Sequence, residues 1–143
     1  MYKVLFIVLL SIYLLSGCEE DVPPLPDAIE CDKSALLDID LYDSGPSDEF
    51  HIDSVWIRSN CLFLQYRYGG GCGHTNMQLV GYHNLTKPLP TSLTARFSFK
   101  DEDNCEAYLQ FTESFDLTPY QKNDYPQVIL QIGGWDTPIL YSY

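Results

Sequence analysis

The stretch Leu93-Thr94-Ala95-Arg96-Phe97-Ser98-Phe99 alternates apolar and polar side chains without a break. A period of two places every second side chain on the same face of a β-strand. The four apolar residues of the stretch therefore form one face, and the three polar residues between them form the other. This pattern predicts a half-buried β-strand.

The same alternation recurs along the chain, and turn residues separate the repeats. It predicts strands at 52–57, 61–68, 76–82, 128–132 and 139–143. In the strand predicted at 61–68, one face carries the apolar residues Leu62, Leu64, Tyr66 and Tyr68. Most of this chain is therefore expected to be extended.

Two weaker patterns complete the prediction. Leu37 to Leu41 alternates with Asp38 and Asp40, which predicts a strand with two acids facing water. Residues 107–111 are expected to return from the strand at Phe99 through a polar hairpin loop at 101–104. No stretch has a convincing helical period. About eight short strands predict an all-β antiparallel sandwich, Ig-like or Greek-key, with a small β-barrel as the alternative.

The N-terminus has the pattern of a targeting segment. One positive charge at Lys3 precedes a mostly apolar run from Val4 to Leu15, which is too short to span a bilayer as a helix. The run ends in Leu15-Ser16-Gly17-Cys18, which resembles the bacterial lipobox. We predict a lipoprotein signal peptide over 1–17, with Cys18 as the lipid-bearing first residue of the mature chain.

Residues 18–30 are rich in proline and acids, which predicts an extended tether between the lipid and a single β domain over 31–143. Removal of Lys3 with the signal peptide takes the formal net charge from −12 to −13. Such an acidic chain is not expected to bind nucleic acid, whose phosphates attract Lys and Arg. An acidic surface favours solubility, cation binding or a basic partner.

Four cysteines remain besides Cys18, namely Cys31, Cys61, Cys72 and Cys105. An even number in an exported chain predicts two disulfides, for which three pairings are possible. The alternative is a thiolate metal site, but no Cys-x-x-Cys pair supplies the spacing that zinc ligands use.

A second possible metal site is built on histidine. His74 and His83 bracket one predicted strand, and Asp101 and Asp103 lie in the acidic loop before Cys105. Such a set would make the chain an envelope protein that binds zinc or copper. The separation of nine residues is odd, so the two imidazoles point to opposite faces of a regular strand. The glycine-rich run before His74 is expected to be a bulge or tight corner.

No hydrolase motif is present, and nothing in the residue spacing supports a catalytic triad built on Ser98 or Ser114. We therefore expect no enzyme and no cofactor. Eleven Tyr and two Trp could form a stacking surface for a protein or a glycan, although core and cross-strand packing is expected to use most of them, Trp56 included. The sequence favours a membrane-anchored binding module of unknown ligand.

Several segments in a fixed order resemble a group of small Bacteroidota lipoproteins of unknown function. These proteins carry an aromatic residue before Gly-Gly-Cys, then a His, a later acidic loop with a second Cys, a Phe-Asp-Leu-Thr/Ser-Pro segment and a Tyr-rich end. The matching stretches here are 68–79, 101–105, 115–119 and 128–143. The resemblance implies no activity.

The resemblance implies a Cys72–Cys105 disulfide, which leaves Cys31 to pair with Cys61. This chain departs from the group at one position, because Thr75 stands where the histidine is usual and His74 comes one place earlier. That departure weakens a metal role for His74. The acids at 19–21 are similar to export signals of surface lipoproteins in that phylum. We expect anchoring at the outer membrane, facing either the cell surface or the periplasm.

Overall fold

The structure is a computed structural model that describes residues 29–84, 91–102 and 105–143. The strands of these ranges are β1 (Lys33–Ser34), β2 (Leu36–Leu37), β3 (His51–Arg58), β4 (Cys61–Gly70), β5 (Thr75–Asn84), β6 (Ser92–Asp101), β7 (Ala107–Asp116), β8 (Gln127–Ile132) and β9 (Ile139–Ser142). A short helix, α1 (Ile39–Ser44), follows β2, and a 3₁₀ turn (Thr118–Tyr120) follows β7.

The predicted signal peptide, the lipidated Cys18 and the tether as far as residue 28 lie outside the described residues. Within the described ranges, no helix combines the length and the apolar character needed to cross a bilayer.

The strands form two sheets. Sheet A has the order β1-β7-β4-β3, and sheet B has the order β2-β5-β6-β8-β9. This arrangement confirms the prediction of an all-β sandwich, and the barrel alternative is wrong because the two sheets remain separate. The sheets are mixed rather than purely antiparallel, since β1 with β7, β2 with β5 and β6 with β8 are parallel pairs.

The core lies between the central strands of the two sheets. The apolar face predicted for β6 is buried as expected, and so is the one predicted for β4. The buried residues of these two faces are Leu62, Leu64, Tyr66, Tyr68, Leu93, Ala95, Phe97 and Phe99. Each large apolar side chain removed from water in this way contributes about 1.5–3 kcal/mol of transfer free energy.

The strand predicted from Leu37 to Leu41 is wrong beyond Leu37. Asp38 takes an extended conformation, and its Oδ1 accepts a hydrogen bond of 2.9 Å from the Leu41 N–H, which makes it the N-cap of α1. Asp40 lies in the first turn, where the helix dipole favours a negative charge. Asp38 and Asp40, which suggested the solvent-exposed face of a strand, instead stabilise the start of a helix.

The hairpin predicted between Phe99 and residues 107–111 is also wrong. β7 pairs along its whole length with β4 in sheet A, from Ala107 opposite Gly70 to Asp116 opposite Cys61. The connection after β6 therefore crosses from sheet B to sheet A. Alternation in sequence shows that a strand exists, but it carries no information about which strand it pairs with.

Two disulfides fasten the sandwich, with the pairing that the resemblance implied. Cys31 is bonded to Cys61, and Cys72 is bonded to Cys105 across the connection between the sheets. Closing loops of this size stabilises a fold by about 3–4 kcal/mol each in the chain-entropy model. Between β1 and β2 the chain passes from sheet A to sheet B at Ala35, which is fully buried.

Two buried tyrosines differ in the state of their hydroxyl groups. The Tyr66 hydroxyl donates to Glu113 Oε1 at 2.9 Å, whereas the Tyr120 hydroxyl is buried without a hydrogen-bond partner. An unsatisfied buried hydroxyl costs about 1–3 kcal/mol. We expect Tyr120→Phe to leave the free energy of unfolding unchanged or to raise it by up to about 1 kcal/mol. Tyr66→Phe should lower it by about 1 kcal/mol. Urea denaturation of both variants measures the difference, and equal losses in both would contradict it.

Candidate binding face

α1 and the segment that follows it pack on the outer face of sheet B over β5 and β6. The guanidinium of Arg96 donates to the carbonyls of Leu41, Tyr42, Gly45 and Pro46 at 2.6–3.0 Å. It also lies 5.8 Å from the ring centroid of Tyr42. The last carbonyls of a helix lack partners within the helix. Arg96 donates to them, together with the Gly45 N–H at Leu41 O and the Ser98 hydroxyl at Pro46 O, and so holds α1 on the sheet.

The outer face of sheet A presents aromatic and polar side chains to solvent. We call the following residues of β3, β4 and β7 the aromatic face: Ser54, Trp56, Phe63, Gln65, Arg67, Tyr108, Gln110 and Thr112. They point outward because the alternate residues of β4 fill the core. The end of the face near Cys61 is covered by the disulfide and by Asp32, which bonds to Ser114.

An aromatic pair forms one end of the aromatic face. Trp56 and Phe63 are cross-strand neighbours, and their rings stack with centroids 5.3 Å apart and planes within 7° of parallel. Trp56 is 40% exposed. Cross-strand packing was expected for this tryptophan, and the structure adds that the packing lies on the outside of the sandwich rather than in the core.

A charged group marks the other end of the face. Arg67 donates from Nε and Nη2 to the carboxylate of Asp53, the extra residue of a β-bulge in β3. Its guanidinium also lies 5.2 Å from the ring centroid of Tyr108, which is 64% exposed. Hydrogen bonding to Asp53 raises the pKa of Arg67, so this residue stays charged.

Between these ends lies a row of uncharged polar groups, and Ser54 donates to Gln65 within it. Gly69, the partner of Tyr108, comes six positions after Phe63 along β4, which corresponds to about 20 Å. The aromatic face is therefore a strip with an aromatic anchor at each end and hydrogen-bonding groups in the middle.

The strip opens at its Arg67 end into a cleft of about 560 Å³. The cleft is lined by Asp48, Glu49, Phe50, His51, Arg67, Tyr68, Gly69, Asp101 and Tyr108. Carboxylates outnumber cations in this lining, and the charge of Arg67 is already paired with the carboxylate of Asp53. The cleft therefore presents a negative potential to a ligand that approaches the aromatic face.

The structure separates the residues proposed for a metal site. His74 precedes β5 and His83 is near its far end, so a separation of nine residues places them about 30 Å apart. One ion cannot reach both imidazoles, which overturns that ligand pair. Burial, and then the nearby Lys122, lower the pKa of His83. The same positive charge disfavours a bound metal cation.

The residues around the acidic loop contact neighbouring groups of the fold. Glu102 pairs with Lys100, and the Asp101 N–H donates to Asp48 Oδ2 at 2.7 Å. Asp103 lies outside the described residues. Across the described ranges, no group of three or more His, Cys, Asp or Glu side chains is arranged to hold a metal ion.

The glycine-rich run serves the strand and the disulfide. β4 continues through Gly70, and Gly71 adopts φ +120°, a conformation that side chains rarely take. The run therefore turns the chain sharply at the point where Cys72 meets Cys105. Ser98 donates to the Pro46 carbonyl and Ser114 bonds to Asp32, so both serines considered for a triad hold the fold together.

The sequence contained a signal for the aromatic face that was not used. Once Leu62, Leu64, Tyr66 and Tyr68 are assigned to the core, the alternate residues of β4 must point outward. Those residues include Phe63, Gln65 and Arg67. The contribution of β7 could not be found in the same way, because its partner strand was misassigned.

No protein-family model matches the chain, and no curated protein matches it at a significant level. Among solved structures, it is similar to a protein of unknown function, DUF1344, from Bacteroides vulgatus, with 14% identity and a TM-score of 0.54. It is also similar to a NigD-like immunity protein from Bacteroides caccae, with 13% identity and a TM-score of 0.53.

These two matches cover 78% and 76% of this chain, which spans 56% and 58% of the respective structures. At such identities the likeness shows a shared fold.

Proposed function

We propose that this chain is a membrane-anchored lipoprotein of the outer membrane whose β-sandwich binds a protein partner through the aromatic face. The observation that carries the proposal is the stacked pair of Trp56, which is 40% exposed, and the half-buried Phe63 on the outer face of sheet A. An outward aromatic pair leaves apolar surface in water, a cost that a partner removes. On the opposite sheet, α1 packs over β5 and β6, so that part of its outer face is already occupied.

The composition of the aromatic face favours a protein as the ligand. Residues that dominate binding energy at protein interfaces are most often Trp, Tyr and Arg. The aromatic face has Trp56 at one end, with Arg67 and Tyr108 at the other. Uncharged hydroxyl and amide groups between them can be satisfied by hydrogen bonds across an interface of standard size.

Charge indicates the character of that partner. The chain has a formal net charge of −12 before processing, and the cleft beside Arg67 is lined by Asp48, Glu49 and Asp101. A partner with a basic rim would be steered toward this surface and would bind more weakly as salt increases.

The N-terminal pattern supports the anchored part of the proposal. A lipobox followed by a proline-rich, acidic segment is typical of a domain held away from a membrane. One structural neighbour is described as an immunity protein. Because that likeness is one of fold, the proposal depends on the aromatic face of this chain and not on the neighbour.

Photo-crosslinking in living cells tests the proposed function. We expect p-benzoylphenylalanine at position 56 or 108 of the full-length chain to give one and the same protein adduct, identified by mass spectrometry. The matched control is position 140 on β9, since Leu140 is 55% exposed on the other sheet. The position-140 variant should give no such adduct.

The purified partner should then bind wild type at least tenfold more tightly than Trp56→Ala, with an affinity that falls as salt increases. Equal adducts at all three positions would contradict a dedicated face. Binding of purified glycans that depends on Trp56 but not on salt would replace the protein partner by a sugar.

A further inference from the structure

The upper part of β7 is an open sheet edge. β7 is bonded to β4 on one side, but on its other side β1 pairs only with Phe115 and Asp116. From Ala107 to Thr112, no described strand lies on that side. Such an edge presents backbone N–H and C=O groups that can pair with another strand.

The other sheet edges of the described chain are protected. β3 contains a bulge between Ile52 and Ser54 and carries the charged residues Asp53 and Arg58. β9 has four residues and β2 has two. Bulges, charges and short length are the usual devices that prevent edge-to-edge pairing, and the 107–112 stretch has none of them.

The sequence of this edge favours pairing. Residues 107–112 read Ala-Tyr-Leu-Gln-Phe-Thr, which contains no charge, no proline and no glycine. Five of the six side chains are exposed, and Leu109 is half-buried. Phe111 points inward against Tyr68, with ring centroids 5.4 Å apart, yet it remains 40% exposed at the open side of the sandwich.

We propose that two copies of this chain pair through β7 as antiparallel strands, with a two-fold axis at Gln110. Residues directly opposite each other in an antiparallel pair lie on the same face of the sheet. The outer face of one copy therefore continues into the outer face of the other only when the two-fold axis passes through a residue and not between two residues. With the axis at Gln110, the half-buried Leu109 faces the exposed Phe111 of the second copy, and the two apolar side chains cover each other.

The same register creates no clash of charge. Tyr108 faces Thr112, Ala107 faces Glu113, and Gln110 faces itself. Glu113 is already held by Lys33 Nζ and the Tyr66 hydroxyl. Because the pairing segment is uncharged, repulsion between the two acidic copies acts only at longer range, where salt screens it. Association should therefore strengthen as ionic strength rises.

The pairing has a geometric result. The axis lies perpendicular to the sheet, so the two copies of sheet A join in the continuous order β3-β4-β7-β7-β4-β3, with both aromatic faces on the same side. Anchoring of both copies in one membrane would raise their effective concentration and favour the pair.

Cysteine crosslinking of the full-length chain in its own envelope tests the axis. Directly opposite residues of an antiparallel pair have Cα atoms about 4.5–5.5 Å apart, within the range for a disulfide. We expect Gln110→Cys to give a dimer on a non-reducing gel. The control Gln127→Cys, an exposed glutamine at the start of β8, should not. Equal dimer in both variants, or capture of a different protein by Cys at 110, would overturn the proposal.

Charge variants give a second readout. Like charges directly opposite each other destabilise a strand pair, so Gln110→Lys and Gln110→Glu should each weaken self-association of the detergent-solubilised protein at least tenfold. An equal mixture of the two variants should restore it as a mixed dimer in sedimentation experiments. A wild-type monomer at all concentrations, or variants that associate like wild type, would show that β7 is not the interface.

Discussion

Raising the pH above about 10 is expected to unfold this domain in one cooperative step. Tyr66 and Tyr120 are fully buried, and burial raises the pKa of both phenols well above the ordinary value of 10.0. In the unfolded chain both phenols lose their protons near pH 10. The folded chain then holds more protons than the unfolded one, so stability falls as the pH rises.

The size of the effect follows from the number of groups. Each phenol that stays protonated only in the folded state costs about 1.4 kcal/mol per pH unit above 10. Two of them remove about 5 kcal/mol by pH 12, which is comparable with the whole stability of a small domain. Below pH 10 neither group contributes any pH dependence.

Circular dichroism and phenolate absorbance, followed together against pH, measure this transition. The loss of β-structure and the rise of the buried phenolates should coincide. Tyr120→Phe should reduce the pH dependence by about half while leaving the neutral-pH structure intact. Gradual ionisation of every tyrosine with the sheet signal unchanged would contradict the expectation.

Replacement of Arg96 by alanine should destabilise the fold by about 3 kcal/mol. Hydrogen bonds to a charged group contribute about 1.5–3 kcal/mol each, though not additively, and Arg96 makes such bonds to four carbonyls. Its loss removes these charged donors from the end of α1 and leaves Leu41 O with the Gly45 N–H and Pro46 O with the Ser98 hydroxyl. Arg96→Lys should recover less than half, because a single ammonium cannot reach carbonyls spread over Leu41 to Pro46.

Thermal denaturation and hydrogen exchange check this prediction. For a chain of this size, 3 kcal/mol corresponds to a decrease in Tm of about 10 °C, with fast exchange over the α1 amides. The matched control is Arg58→Ala, an exposed arginine on β3, which should change stability by less than about 0.5 kcal/mol. Equal effects of the two substitutions would contradict the role given to Arg96.

The parts of the fold that could be predicted from sequence are those with a local signal. The alternation in β4 and β6 identified both central strands and their buried faces. The partner of β7 could not be predicted in this way, because strand pairing depends on contacts between residues far apart in the chain. α1 was missed because six residues are too few to show a helical period.

The candidate site shows the same division. Trp56 was recognised as a cross-strand residue, but its exposure depends on which face of β3 meets the second sheet. The prediction of two histidine ligands for one metal ion was wrong for the opposite reason. His74 and His83 are close in sequence, and the regular extension of β5 carries them apart. Nine residues of extended strand hold two side chains far apart, whereas nine residues of a loop could bring them together.

The Cys31–Cys61 disulfide determines how the domain bears mechanical load. A pull on the chain N-terminal to Cys31 passes through this bond into Cys61, the first residue of β4. β4 is bonded to β3 on one side and to β7 on the other. Tension therefore enters a central strand and bypasses the two-residue pairing of β1, which would otherwise unzip first. Reduction of that one bond would transfer the whole force to β1.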